Sequence, residues 1–214
     1  YRLHSTRVNH LLIVGPRASI LLANTYNLLS CDRMADYSIG VDMGGTNLRA
    51  AALDRNGNIL AKVQSSTQYT AGRDAIMGDI VTAIQEVRTR IGPEGLCGVG
   101  IGIPGFIQIE TGMLVGAANI PALDGVPIRD EIQRHLGTKI ILENDANAAA
   151  LGEKWMGAGR NVNDLVLLTL GTGIGGGIIS NGRVLHGFLG MAGELGHMTV
   201  IPDGNPCGCG NYGC

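Results

Sequence analysis

Two glycine-rich turns, each between two strand-like apolar segments, constrain the fold of this 214-residue chain more than any other feature. The first turn, Met43-Gly44-Gly45-Thr46, separates a strand predicted over 37–41 from one over 47–53. The second turn, 171–177, follows a strand over 165–170 and leads to the hairpin signal Asn181-Gly182. The chain holds 34 glycines without a Gly-X-Y period, which excludes a collagen-like helix. The repeat of a strand, a glycine-rich turn and a second strand predicts an α/β protein with two similar halves.

The apolar pattern predicts the elements between these turns. Asn56-Gly57 predicts a hairpin into a strand over 59–65, and isoleucines at 76, 80 and 84 predict a helix that ends at Gly92. A strand over 96–103 follows, with glycines at 98, 100 and 102 on one face, where another backbone can approach closely. Further predicted elements are a helix from Pro127 to Gly137, a strand over 139–142 and a helix over 145–155.

The chain divides into three predicted regions. Residues 1–33 precede Met34 and have no regular pattern, so we expect sequence translated upstream of the natural start or a disordered extension, with a cleaved signal peptide as the less favoured alternative. Residues 34–118 form a first lobe and 119–214 a second, with the Gly- and Pro-rich stretch 104–125 as an irregular crossing between them.

Charge and hydropathy exclude two classes of partner. Sixteen basic and 18 acidic residues leave a net charge of −2, which provides no basic footprint for nucleic acid or an anionic membrane. The apolar run Leu11-Leu12-Ile13-Val14 is cut by Gly15-Pro16, and a spanning helix needs about 20 predominantly apolar residues. We therefore expect a cytoplasmic protein that binds neither nucleic acid nor membrane.

Both glycine turns are candidate phosphate-binding loops. Glycines allow backbone N–H groups to approach phosphate oxygens, while Thr46 and Asn47 add neutral donors and Arg49 adds a cation. Asp42, at the strand tip, suits Mg²⁺. The first loop by itself is also compatible with an ordinary hairpin, and the second with a flexible linker. Two loops in corresponding places favour two lobes that grip one polyphosphate.

Glu143-Asn144-Asp145 lies where a strand ends and a helix begins. Ligands of α/β sheets collect at such strand ends, and Asp145 suits the role of a base that takes a proton from a substrate hydroxyl during phosphoryl transfer. Helix capping is the alternative interpretation, because Asn and Asp are common caps.

A histidine and three cysteines near the end of the chain form a candidate zinc site. His197, Cys207, Cys209 and Cys214 supply the four nitrogen and sulfur ligands of a tetrahedral structural Zn²⁺. Three uncoordinated thiols are the alternative. The other histidines, His4, His10, His135 and His186, have no partner motif, and we interpret them as surface or packing residues.

Taken together, these motifs resemble the ROK family of sugar kinases and related repressors. The resemblance covers residues 34–214, and within the family the sequences of these motifs are most similar to those of bacterial glucokinases. It is carried by four segments in the family's order: 42–49, 143–153, 170–177 and 193–197 with the three cysteines.

The resemblance implies a two-lobed fold similar to actin and hexokinase, built on ribonuclease-H-like sheets. It implies transfer of the ATP γ-phosphoryl group to a hexose, with glucose favoured, and Asp145 as the general base on the 6-hydroxyl. It assigns sugar contacts to Gly105, Asn119, Asn144, Glu194 and His197. Phosphate contacts fall on Gly44, Gly45, Thr46, Asn47, Gly171, Thr172 and Gly173, Asp42 lies near Mg²⁺, and His197 is also a zinc ligand.

Alternatives within the family stay open. One is a sugar-binding transcriptional repressor, although residues 1–33 show no pair of amphipathic helices for DNA. Others are a kinase for N-acetylmannosamine, N-acetylglucosamine, fructose or mannose, and polyphosphate as the donor. Family members continue beyond the last cysteine of this motif, so we expect an incomplete second lobe and a poor or inactive kinase. The family expectation for the full-length protein is a homodimer.

Overall fold

The computed structural model describes residues 11–14 (backbone only), 36–44, 47–67, 69–117, 119–171 and 173–214. No helix in these ranges is long and apolar enough to cross a membrane. In chain order the elements are β1 Leu11–Val14, β2 Tyr37–Met43, β3 Asn47–Asp54, β4 Ile59–Ser66, α1 Arg73–Ile91, β5 Leu96–Ile103, β6 Phe106–Gln108, β7 Met113–Val115, α2 Ile128–Leu136, β8 Ile140–Asn144, α3 Asp145–Met156, β9 Leu165–Leu170, β10 Ile174–Ser180 and β11 Arg183–Val184.

The first sheet has five strands in the order β4-β3-β2-β5-β8. β3 is antiparallel to β2 and β4, whereas β5 is parallel to β2 and β8. The predicted meander over β2–β4 is confirmed. α1 packs against β3 and β4, and Ile76, Ile80 and Ile84 are fully buried there, as their helical spacing predicts. Each such side chain contributes about 1.5–3 kcal/mol through the hydrophobic effect.

The second sheet repeats this arrangement around β9. Its order is β1-β9-β10-β11, with β10 antiparallel to β9 and β1 parallel to it. The hairpin between β10 and β11 is the predicted one, since Asn181 (φ +51°) and Gly182 (φ +77°) both adopt the left-handed conformation that a type I′ turn requires. Within the described residues, each central strand therefore has an antiparallel neighbour after a glycine turn and a parallel neighbour on its other side.

Helix α3 lies between the two sheets and contacts β5 and β8 of the first and β9 and β10 of the second. Its residues from Ala146 to Gly152 are all buried. Close approach depends on small residues, because a Cβ at Gly102 of β5 would lie 3.2 Å from the Ala148 methyl and 3.6 Å from the Asp145 Cα. The prediction of a close backbone contact on the β5 glycine face is confirmed at Gly102.

Three features of the structure were not anticipated from the sequence. Residues 11–14, inside the expected leader, pair with β9. The stretch 104–125, expected to be irregular, contains the antiparallel hairpin β6–β7. The first sheet continues to β8, beyond the boundary expected between residues 118 and 119, because β8 hydrogen-bonds to β5. The division into lobes at that boundary stays a prediction.

Candidate active site

The candidate site forms at the carboxyl ends of three parallel strands in the first sheet. Asp42 of β2 lies opposite Gly102 of β5, and Gly102 lies opposite Glu143 of β8. β8 ends at Asn144 and α3 begins at Asp145 without an intervening loop. Three carboxylate residues, at positions 42, 143 and 145, therefore converge on the edge where ligands of α/β sheets bind.

The carboxyl group of Asp145 has a raised pKa. Burial raises the pKa of its carboxyl group, and the negative charges of Asp42 and Glu194 raise the pKa further. A hydrogen bond from the Ala146 N–H (2.9 Å) acts in the opposite direction. A carboxylate held with a raised pKa in a cleft is a stronger base than an exposed one.

Asn144 fulfils the capping role that sequence reasoning left open for this segment. Its Oδ1 accepts hydrogen bonds from the N–H groups of Ala146 (2.9 Å) and Asn147 (3.1 Å). Its Nδ2 donates to the Gly105 carbonyl at 3.2 Å, which brings two predicted sugar contacts together. Asn119, a third predicted contact, is exposed in a turn and makes no hydrogen bond to the described site residues.

Glu143 and His186 form a contact that the sequence analysis missed. The Glu143 side chain is 1% exposed, and its Oε2 lies 2.8 Å from Nε2 of His186. This hydrogen bond raises the pKa of His186, with burial acting against it and the charge of Glu110 supporting it. His186 was interpreted as a surface or packing residue, and the structure adds a hydrogen-bond partner that lies 43 residues away and that no local motif connects to it.

The Glu194–His197 segment faces both the carboxylates and the cysteines. It forms a single 3₁₀ turn, Leu195–His197, directly after Glu194. Nε2 of His197 lies 3.8 Å from the Glu194 carboxylate, and its Nδ1 lies 3.5 Å from Sγ of Cys207. One imidazole therefore connects the candidate sugar site to the cysteine cluster.

The residues predicted to bind zinc have a geometry that fits the ion. The ligand atoms of His197, Cys207, Cys209 and Cys214 all lie within 4.8 Å of one another. The Sγ atoms of Cys209 and Cys214 are 3.7 Å apart. Two sulfurs bound at ~2.3 Å to one tetrahedral ion are separated by about 3.8 Å. Hydrogen bonds from Cys209 lower the pKa of the Cys207 thiol to about 7, which favours the thiolate that a metal binds.

The two predicted phosphate loops are described only in part. Gly45, Thr46 and Thr172 lie outside the described residues. In the second loop a Cβ at Gly171 or Gly173 would meet no atom of the described residues within 4 Å.

In the first loop the Gly44 N–H donates to the Asn47 carbonyl at 2.9 Å. Arg49, predicted to contact phosphate, forms an ion pair with Asp42 at 3.2 Å. This pair joins the predicted phosphate cation to the predicted Mg²⁺ carboxylate, across the β2–β3 register that places the two residues opposite each other.

The chain belongs to the ROK family, because residues 38–214 match the profile of that family. It is 44% identical over 181 residues to a glucokinase of Halalkalibacterium halodurans, across 83% of this chain and 54% of that protein. It is 32% identical to a xylose repressor of Caldicellulosiruptor bescii, across 87% of this chain and 47% of that protein.

Solved structures agree with the fold. A ROK family glucokinase from Streptomyces griseus, in complex with glucose and AMPPNP, superposes with a TM-score of 0.74 at 38% identity, over 83% of this chain and 55% of that one. The α/β fold is therefore that of the ROK hexokinases. The chain spans about half the length of these relatives.

Proposed function

We propose that this chain carries the acceptor site of an ATP-dependent hexose kinase, with glucose as the favoured sugar. The observation that carries the proposal is the position of the Asp145 carboxyl group, which is half-buried directly after β8 and beside Asp42 and Glu194, where burial and these two charges raise its pKa. The ROK glucokinase of Streptomyces griseus, whose structure holds glucose and AMPPNP, supports the choice of sugar and nucleotide.

In the proposed reaction, Asp145 accepts the proton of the 6-hydroxyl while that oxygen forms a bond to the γ-phosphorus of ATP. The bond between the γ-phosphorus and the bridging oxygen breaks, so the products are glucose 6-phosphate and ADP. Asn144 holds the start of α3 in place and presents its amide beside Gly105. Glu194, His197, Asn144, Gly105 and Asn119 are the proposed contacts of the sugar hydroxyls.

The proposed nucleotide contacts lie on the two glycine turns. Gly44, Asn47, Gly171 and Gly173 are proposed to face phosphates, together with Gly45, Thr46 and Thr172. Asp42 is the proposed Mg²⁺ contact, and Arg49 orients its carboxylate through the 3.2 Å ion pair. Mg²⁺, when bound, neutralises charge on the phosphates. His197, Cys207, Cys209 and Cys214 are the proposed zinc ligands, and the ion would order the segment 197–214.

Two alternative functions remain, a sugar-binding regulator and a kinase for another sugar, and different observations distinguish each from a glucokinase. The likeness to a xylose repressor favours a sugar-binding regulator, which binds a sugar but transfers no phosphoryl group. A kinase for N-acetylmannosamine or fructose would show the same dependence on Asp145 with a different acceptor. A homodimer, a cytoplasmic location and the absence of nucleic-acid and membrane partners stay predictions.

The test is calorimetric titration of the 214-residue chain with glucose, together with transfer of labelled γ-phosphoryl from ATP to glucose. Asp145→Asn is expected to keep glucose affinity within about threefold and to lower turnover by roughly 10²–10⁴-fold. Asp74→Asn, at an exposed position in α1, is the matched control. Because an incomplete second lobe predicts poor transfer by this chain, absent transfer favours the regulator only when it is also found in a chain extended to the length of the relatives. Absence of glucose binding in the parent chain would contradict the proposal.

A further inference from the structure

Glu143 is the least exposed charged side chain among the residues that the structure describes, at 1%. The proposed function gives it no part in the reaction. Removal of a carboxylate from water costs several kcal/mol unless the group is paired and hydrogen-bonded. The hydrogen bonds of the Glu143 carboxylate therefore show which parts of the structure it holds together.

One carboxylate oxygen of Glu143 holds the start of α3. Its Oε1 accepts hydrogen bonds from the Asn144 N–H at 2.9 Å and from Asn147 Nδ2 at 3.1 Å. These partners lie immediately before Asp145 and two residues after it. The backbone that carries the proposed base is thus tied to the carboxylate on both sides.

The other oxygen holds the beginning of the loop over 185–194. Oε2 lies 2.8 Å from Nε2 of His186, and the His186 carbonyl accepts from the Ala192 N–H at 3.0 Å. The bond between the backbones of His186 and Ala192 closes the loop on itself, so the position of His186 also determines where the end of the loop lies.

The end of the same loop packs against the same part of α3. A Cβ at Gly193 would lie 3.2 Å from Oδ1 of Asn147, an acceptor that is buried and has no hydrogen-bond donor among the described residues. Glu194 follows directly, and its charge already acts on the pKa of Asp145. Glu143 is therefore hydrogen-bonded to the beginning of the loop, and Asn147 packs against its end.

We propose that Glu143 and His186 are positioning residues, which place the Glu194–His197 turn relative to Asp145 so that the two sides of the hexose site meet. The inference rests on the proposed function, which assigns the sugar contacts to Glu194 and His197. Neither Glu143 nor His186 touches the sugar in this scheme. They act through Asn144 and Asn147 on one side and through the loop over 185–194 on the other.

The test compares two substitutions that differ in hydrogen bonding. His186→Gln retains an N–H donor for Glu143, whereas His186→Leu removes it. His135→Leu, at an exposed histidine of α2, is the control. The readouts are glucose affinity by calorimetry, thermal unfolding, and deuterium exchange of the amides over 192–197 measured well below the unfolding temperature.

His186→Leu is expected to weaken glucose binding on the order of tenfold to a hundredfold, because small misplacements of positioned groups cost that much. It is also expected to accelerate exchange at the Ala192 and Glu194 amides. His186→Gln is expected to restore both readouts to within about threefold of the parent chain. A purely structural role would lower the unfolding temperature and leave affinity and local exchange unchanged, and that result would overturn the proposal.

Two controls keep the outcome decisive. If His186→Leu does not fold, because the Glu143 carboxylate loses its hydrogen bond to the imidazole, Glu143→Gln/His186→Leu removes the buried charge and is expected to show the same weak binding and fast exchange. If the parent chain binds no glucose, the proposed function fails. Exchange at Ala192 and Glu194 then decides the positioning proposal alone, which stands if exchange accelerates and falls if it does not.

Discussion

Gly177 of β10 lies so close to α3 that a Cβ at this position would stand 2.7 Å from the Ala150 methyl carbon and 2.8 Å from the Ala146 carbonyl oxygen. Both atoms belong to the helix that also packs on Gly102 of the first sheet. The second sheet can therefore approach α3 this closely only because Gly177 has no side chain. Because Asp145 is the first residue of α3, a shift of this helix would also move the proposed base.

Gly177→Ala is expected to destabilise the protein by about 1–3 kcal/mol, since the added methyl group overlaps helix backbone that cannot move alone. Gly78→Ala is the control. Gly78 lies inside α1, a Cβ there would meet nothing within 4 Å, and alanine should stabilise a helix interior by about 0.5–1 kcal/mol. The free energy of unfolding in urea measures both changes. Equal effects of the two substitutions would contradict the close packing of α3 on β10.

Asp145→Asn is expected to raise the stability of the fold while it removes phosphoryl transfer. The folded state raises the pKa of Asp145, chiefly through burial, so ionisation is harder in the folded protein than in the unfolded chain. The resulting penalty begins as the pH rises above the ordinary range of a carboxyl group and is complete above the raised pKa. Asparagine carries no such penalty.

Thermal unfolding from pH 4.5 to pH 8 checks this prediction. The unfolding temperature of Asp145→Asn should exceed that of the parent chain at pH 8, and the difference should shrink as the pH falls. Asp74→Asn, exposed in α1, should show no comparable gain. A parent chain at least as stable as Asp145→Asn over the whole range would show that the carboxylate is not strained in the fold.

Local chemistry was enough to predict most elements of the two sheets. The Asn181-Gly182 turn and the isoleucine spacing in α1 each depend on neighbours in sequence, and both predictions are confirmed. The hairpin β6–β7 was missed because its strands are three residues each, too short for an alternating pattern to appear among glycines and prolines. The pairing of Leu11–Val14 with β9 joins segments about 150 residues apart, which no local signal records.

The candidate site was predictable where its chemistry is local. The segment over 143–145 and the four zinc-type ligands were identified by residue type and spacing, and the structure brings the four ligand atoms together. The Glu143–His186 contact was not predictable, because its partners are 43 residues apart, one in β8 and the other after β11, and no local motif connects them. The ion pair between Asp42 and Arg49 forms because the register of β2 and β3 places these residues opposite each other. A sequence motif does not specify that register.

His186 is expected to make the stability of the fold depend on pH. The Glu143 hydrogen bond, supported by the charge of Glu110, raises the pKa of His186 above its ordinary 6.5, although burial opposes this. Its stabilising contribution is therefore complete below pH 6.5 and is lost as the pH rises through the raised pKa. His186→Gln should remove that dependence, whereas His135→Gln should retain it. Parallel curves of unfolding temperature against pH for all three chains would contradict the prediction.

Zinc is expected to bind at one ion per chain and to stabilise the segment over 197–214. Each predicted ligand completes a four-coordinate site, so His197→Ala should lose the ion, while His135→Ala, at an exposed histidine of α2, should retain it. Metal analysis after gel filtration measures the stoichiometry, and thermal unfolding before and after treatment with a chelator measures the stabilisation. The chelator should lower the unfolding temperature of the parent chain and of His135→Ala but should leave His197→Ala unchanged. A parent chain that contains no zinc after expression with the metal, or that binds it equally well without His197, would show that the four residues cluster without forming a metal site.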